Sequence, residues 1–194
     1  MEAIRFTWSR SSLKYVVPAA LLVVAFVNPP VEEAISLNPL PYMLSHYGLV
    51  LAGLLLGFST FRTSLRARRW TLVVGLIPIV AWHLPYLFAL GAAFIWGRVL
   101  DELTITLGGL LVGASLRLFS FNFKVILFIL YMVADTALSF LFMFYSYPYT
   151  RNAIPFSPYT SPSQFFVTGV TMIVLMNAFL GYVAYLFFKK LSIL

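Results

Sequence analysis

The stretch "PYMLSHYGLVLAGLLLGFSTF" (residues 41–61) runs for 21 residues without a charged side chain. A helix rises ~1.5 Å per residue, so a segment of this length reaches across the ~30 Å hydrocarbon core of a bilayer. Working outward from it, five further apolar segments are read at about 13–28, 70–94, 101–119, 123–145 and 165–188. The 194 residues are 61% apolar and only 10% charged, against roughly half and a quarter in soluble domains. The chain is therefore expected to be solvated mainly by lipid. The expected fold class is an all-α integral membrane protein, a six-transmembrane-helix bundle forming one domain over residues 1–194.

The first segment is short and follows Arg5, Arg10 and Lys14, as the core of a signal peptide would. "AFVNPP" (25–30) is a poor small-residue cleavage site, so a retained first helix is expected. Charge placement tests the count. Of the 13 basic residues, 11 fall before the first segment, between the second and third, between the fourth and fifth, or after the sixth. The other three loops hold only Arg98 and Arg151. Under the positive-inside rule both termini are cytoplasmic, in a multi-pass plasma-membrane protein. The net charge of +7 is then a topology signal touching anionic lipid, and no nucleic-acid partner is expected. The loop "YPYTRNAIPFSPYTSPSQ" (147–164) reads as a constrained connector, or as a lid or docking surface.

There is no cysteine, which removes disulfides, thiolate metal sites and any covalently attached haem. A metal would have to be held by His, Met, carboxylate or carbonyl groups, and there are two histidines. His46 lies about a turn and a half inside the outer boundary of the second segment. Gly53 and Gly57 follow at i+7 and i+11, near its face; they suit a close-packed helix, or a flat macrocycle lying below an axial histidine. His83 sits in "WTLVVGLIPIVAWHLPYLFALGAAF" (70–94), where Pro78 and Pro85 free the carbonyls of Val74 and Ala81 and bend the helix.

Asp101 and Glu102 open the fourth segment, where acids complement a helix N-terminus; lying at the depth of the histidines, they are also candidates for a proton relay or for orienting a liganded histidine. Asp135 falls near mid-membrane, at an insertion cost of roughly 2.5–3.5 kcal/mol, so it needs a partner or a role. It is a candidate helix bridge, proton relay or orienter of a liganded histidine. Met172 and Met176 lie on the sixth segment with Gln164 and Thr168, and Met43 precedes His46 by three residues. Methionine stripes usually pack cores, yet thioethers beside imidazole also suit copper(I) or haem iron.

The segments "PYMLSHYGLVLAGLLLG", "AWHLPYLF", "YMVADTALSF" and "SPSQFFVTGVTMIVLMN" resemble a small archaeal polytopic membrane family known only as a domain of unknown function. More distantly, the pattern is similar to the CtaG family of cytochrome oxidase assembly factors. His46 and His83 match that family's first two histidine features. "PSQFFVTG" matches its late-helix opening through Ser163 and Gln164, without the acid. The resemblance implies a part in oxidase maturation, through copper handling.

The resulting expectation is a membrane accessory protein or subunit of an aerobic respiratory oxidase complex, handling copper or haem at a His46/His83 site in the outer half of the bundle. Two alternatives stand beside it. One is a small b-type cytochrome holding a single bis-histidine haem for quinol-linked electron transfer; the other is a cofactor-free structural subunit. No HExxH, phosphate loop or nucleophile arrangement points to an enzyme.

Overall fold

A computed structural model describes residues 4–6 and 12–190; Arg10, one of the charges counted above, lies outside them. Four helices are each long and apolar enough to cross a membrane: α3 (Pro39–Thr60), α6 (Ile95–Leu116), α7 (Phe121–Phe144) and α8 (Pro162–Lys190). The other two expected spans are bent pairs. Helix α1 (Leu13–Phe26) meets α2 (Pro29–Leu37) at 56°, and α4 (Arg68–Ala81) meets α5 (Pro85–Ala93) at 72°. The chain is thus all-helical in its bulk, with four to six candidate membrane spans.

Each bend has a local cause. At the first, Asn28 serves both helices: its amide donates to the carbonyls of Val24 and Ala25 at 3.1 and 2.8 Å, and its oxygen accepts from Val31 N at 3.2 Å. One side chain closes α1 and caps α2, while Pro29 fits the first position of the new helix. The sequence reading left residues 29–37 outside the helices, because two prolines and two glutamates mask the short apolar face. At the second bend, Pro85 forces Leu84 into extended backbone (ψ 139°) and then starts α5. The segment 70–94 is therefore two helices rather than one bent helix. The Ala81 carbonyl, expected to be free, accepts from Leu84 N at 3.0 Å.

The centre of the bundle is the α3–α6 crossing, built on small residues. A methyl added at Gly53 would land on the Thr106 carbonyl, and one at Gly57 on that of Leu110. In return, Gly109 and Gly113 of α6 lie against the carbonyls of Val50 and Leu54. Backbones can approach this closely only where Cβ is missing. At one end of the bundle a short antiparallel ribbon pairs β1 (Ile4–Phe6) with β2 (Phe61–Thr63). At the other, an aromatic core joins Tyr42, Phe88, Phe142, Tyr149, Tyr159 and Phe165.

Candidate functional site

The break between α4 and α5 builds the site. In a continuous helix the His83 amide would donate to the Ile79 carbonyl; here it donates to Val80 at 3.1 Å instead. The vacated Ile79 carbonyl is taken by the His83 ring, whose Nδ1 lies 2.5 Å away. A carbonyl only accepts, so Nδ1 carries the hydrogen, and in the neutral ring Nε2 keeps its lone pair. The His83 carbonyl, orphaned by the same break, accepts from the Tyr149 hydroxyl at 3.0 Å. Next to it, Trp82 is buried and donates its indole N–H to Thr104 Oγ1 at 2.8 Å, fixing the break against α6.

His46 comes from α3 and is buried. Its Nε2 lies 2.8 Å from Asp101 Oδ2 on α6, and the Tyr42 hydroxyl donates to that same oxygen at 2.6 Å. With Asp101 as a carboxylate, His46 Nε2 is the donor and Nδ1 bears the lone pair. That lone pair faces His83 Nε2 across 3.4 Å. The two rings are near perpendicular, with centroids 5.0 Å apart, and Tyr42 and Phe88 pack beside His46. The only two histidines in the chain, 37 residues apart, therefore meet nitrogen to nitrogen. Their far nitrogens are held by a carboxylate and a carbonyl, the kind of partner that orients liganding imidazoles.

Asp101 and Glu102 do not cap a helix. Phe94 is extended, α6 begins at Ile95, and both acids are buried in its second turn and beyond. The start was misread because "IWGRV" lacks the polar signal of an N-cap. Arg98, read as a loop charge, is also inside α6 and buried. It donates to the terminal α5 carbonyls of Gly91 and Ala92 at 3.2 and 2.6 Å, to the Glu32 carbonyl, and to Glu32 Oε2 at 3.1 Å. Glu102 is buried on the same helix, and Glu102 Oε1 and Glu32 Oε1 are both buried without a hydrogen-bond partner among the described residues. Arg98 thus ties α2, α5 and α6 together above the histidines, with Glu32 as its charged partner.

The remaining candidates fall elsewhere. Asp135 accepts from Tyr47 at 2.6 Å, bridging α7 to α3; the carboxylate that orients a histidine is Asp101. Met43 and Met172 are buried in the aromatic core, and Met176 accepts from the Thr136 hydroxyl at 3.4 Å. Gly53 and Gly57 are filled by α6, so no macrocycle can lie on that face. A haem between the imidazoles does not fit either, because two nitrogens 3.4 Å apart leave no gap for a porphyrin plane between rings hemmed by Tyr42 and Phe88. Among the described residues no cluster of three or more His, Asp or Glu side chains forms a metal cage.

The 145–161 loop covers the site. Tyr159 is buried and donates to the Ile35 carbonyl at 2.7 Å, while the Arg151 amide donates to the Tyr159 carbonyl at 2.8 Å. Burial pushes the Tyr149 phenol up to about 12 and holds that of Tyr159 well above its ordinary value, so both remain donors at physiological pH. Sequence reasoning missed Tyr42, Tyr149, Tyr159 and Arg98. Tyr42 alone carried a signal, one helical turn before His46.

A family model described as "Protein of unknown function (DUF1404)" matches residues 17–190. The chain belongs to this family. The match takes in every residue of the site, from Glu32 and Tyr42 to Tyr159. No curated protein and no solved structure matches the chain.

Proposed function

We propose that this member of the family is a six-span membrane accessory protein, with both termini cytoplasmic, that holds a copper(I) ion between His46 and His83 on its way to a respiratory oxidase in the plasma membrane. The observation that carries the reading is the pair of ring nitrogens facing each other at 3.4 Å, each an acceptor in the neutral tautomer its outer partner selects. Two acceptors cannot bond to one another, so the contact calls for a cation between them. Bonds from imidazole to a first-row metal are ~2 Å, so nitrogens up to about 4 Å apart would lie within reach of one ion held by His46 and His83.

Charge chooses among ions. The histidines are neutral as ligands and Asp101 supplies one negative charge, while Arg98 is paired with Glu32. A buried site of low dielectric tolerates little net charge, which favours a monovalent ion over zinc or copper(II). When bound, copper(I) supplies a soft acceptor for transfer to another protein's ligands. Asp101 and Ile79 fix the ring tautomers, Tyr42 shares the Asp101 charge, and Tyr149 holds the break that presents His83. The oxidase connection and the outward-facing site rest on the resemblance to assembly factors and on the 11-to-2 charge asymmetry.

The test is copper(I) titration of purified protein against a chromogenic copper(I) chelator. One equivalent is expected to be retained, and lost in both His46→Gln and His83→Gln. Unchanged stoichiometry in His83→Gln contradicts the reading, as does a Soret band that follows the pure protein. A proton also removes the lone-pair clash, and 3.4 Å lies within hydrogen-bond reach. A protein that takes no copper, yet whose two imidazoles share one proton by nitrogen NMR, would make the dyad a proton-holding site.

A further inference from the structure

The end of the bundle away from the histidines is basic, and the structure divides its cations into two groups. Arg68 donates to the Leu118 carbonyl at 2.8 Å, Arg117 lies 4.2 Å from the Phe58 ring centroid, and Lys14 stacks over Tyr15. These serve the fold. Arg62, Arg66 and Arg69 are exposed and have no side-chain partner among the described residues. All three fall within eight residues of chain.

The ribbon sharpens the problem. Its register pairs Ile4 with Thr63, Arg5 with Arg62 and Phe6 with Phe61. The outer two pairs are compatible, and the Phe6 and Phe61 rings meet at 5.5 Å. The central pair sets two arginine positions directly opposite, an arrangement that destabilises an isolated ribbon. No described acid lies nearby: Glu32, Glu33, Asp101 and Glu102 are at the other end and Asp135 is inside the bundle. Among the described residues no side chain supplies the compensating anion, and an anion at the membrane surface can.

Apolar side chains interleave with these arginines. Leu65 is 68% exposed and Trp70 is 73% exposed, the first between Arg62 and Arg66 and the second beside Arg69. A soluble acidic partner would leave both wet. A headgroup layer puts phosphate on the guanidinium groups and acyl chain on leucine and tryptophan at once.

We propose that Arg62, Arg66 and Arg69, in the segment whose ribbon sets Arg5 opposite Arg62, form a binding site for the phosphate headgroups of anionic phospholipids. The site is independent of the histidine pair and anchors the basic end of the bundle, holding the β1–β2 ribbon at the membrane surface.

The chain carries its own reporter in Trp70. Purified protein in neutral detergent is titrated with dibrominated phosphatidylglycerol or dibrominated phosphatidylcholine, and Trp70→Phe supplies the quenching due to other tryptophans. The Trp70 component is expected to saturate at a much lower fraction of the anionic lipid than of the neutral one. Each Arg→Gln change should weaken the anionic preference roughly 5-fold, from ~1 kcal/mol per cation at a charged surface, and the triple variant about 100-fold. Because the three side chains are exposed, the triple variant should keep its helical circular dichroism. Equal quenching by both lipids overturns the proposal, as does a folded triple variant with undiminished preference. Displacement of phosphatidylglycerol by millimolar inorganic phosphate alone would also overturn it, by showing a free-phosphate site; retention of the lipid under that challenge is the expected result.

Discussion

His46 and His83 face each other as acceptors because their other nitrogens are already committed, one to a carboxylate that Tyr42 also holds and one to a carbonyl. Asp101 is the residue on which this arrangement turns. Asp101→Asn keeps the shape but removes the charge and the preference for His46 as an Nε2–H donor. Loss of such an outer partner typically costs 10–100-fold in metal affinity. The same drop is expected here in copper(I) affinity by chelator competition, with circular dichroism unchanged. An unaltered affinity would remove Asp101 from the site. The meeting of the histidines was open to inference, since the chain has only two and both lie in apolar segments. The role of Asp101 is legible only in part: its depth makes it a candidate partner of a histidine, but acids near an expected helix start also read as caps, and only a helix that begins at Ile95 shows Asp101 to be interior. Asp135 drew attention through its position in the sequence, yet its partner, Tyr47, looks like ordinary interfacial aromatic content until α7 is packed on α3.

At the scale of elements, the α4–α5 break is the device that frees a carbonyl for an imidazole. Pro85→Ala permits residues 79–88 to approach a continuous helix, in which the His83 amide reclaims the Ile79 carbonyl. Weaker copper(I) binding is expected with thermal stability kept or raised, a split that simple misfolding would not give. Tyr149→Phe leaves the His83 carbonyl without its donor. It should lower stability by about 0.5–1.5 kcal/mol, read as an earlier melting transition in detergent. The α3–α6 crossing has the opposite character, with no slack. Gly53→Ala places a methyl on backbone, so its cost should exceed the ~1–3 kcal/mol typical of overpacking, and the protein should lose its thermal transition or its yield. Long apolar runs announced α3, α6, α7 and α8 in the sequence. The two bends and helix α2 were less legible, because their ends are set by single capping residues and by proline geometry, which periodicity averages away.

The whole molecule separates its charges. Most of the described basic residues and the ribbon occupy one end; Glu32, Glu33, Asp101, Glu102, the histidines and the tyrosine-pinned loop occupy the other. Absence of native cysteine makes this orientation easy to examine. A cysteine placed at Asn152 should react with a membrane-impermeant maleimide in intact cells, and one at Ser64 only after permeabilisation. The reverse pattern would invert the topology and turn the histidine site toward the cytoplasm. The central claim, a cation shared by two imidazoles, is tested most directly by X-ray absorption at the copper edge of protein loaded with one equivalent of copper(I). The account gives a copper(I) edge with two imidazole nitrogens at ~2 Å, both features disappearing in His83→Gln. A sulfur shell from methionine, or protein that retains no copper while its helices remain intact, would contradict it.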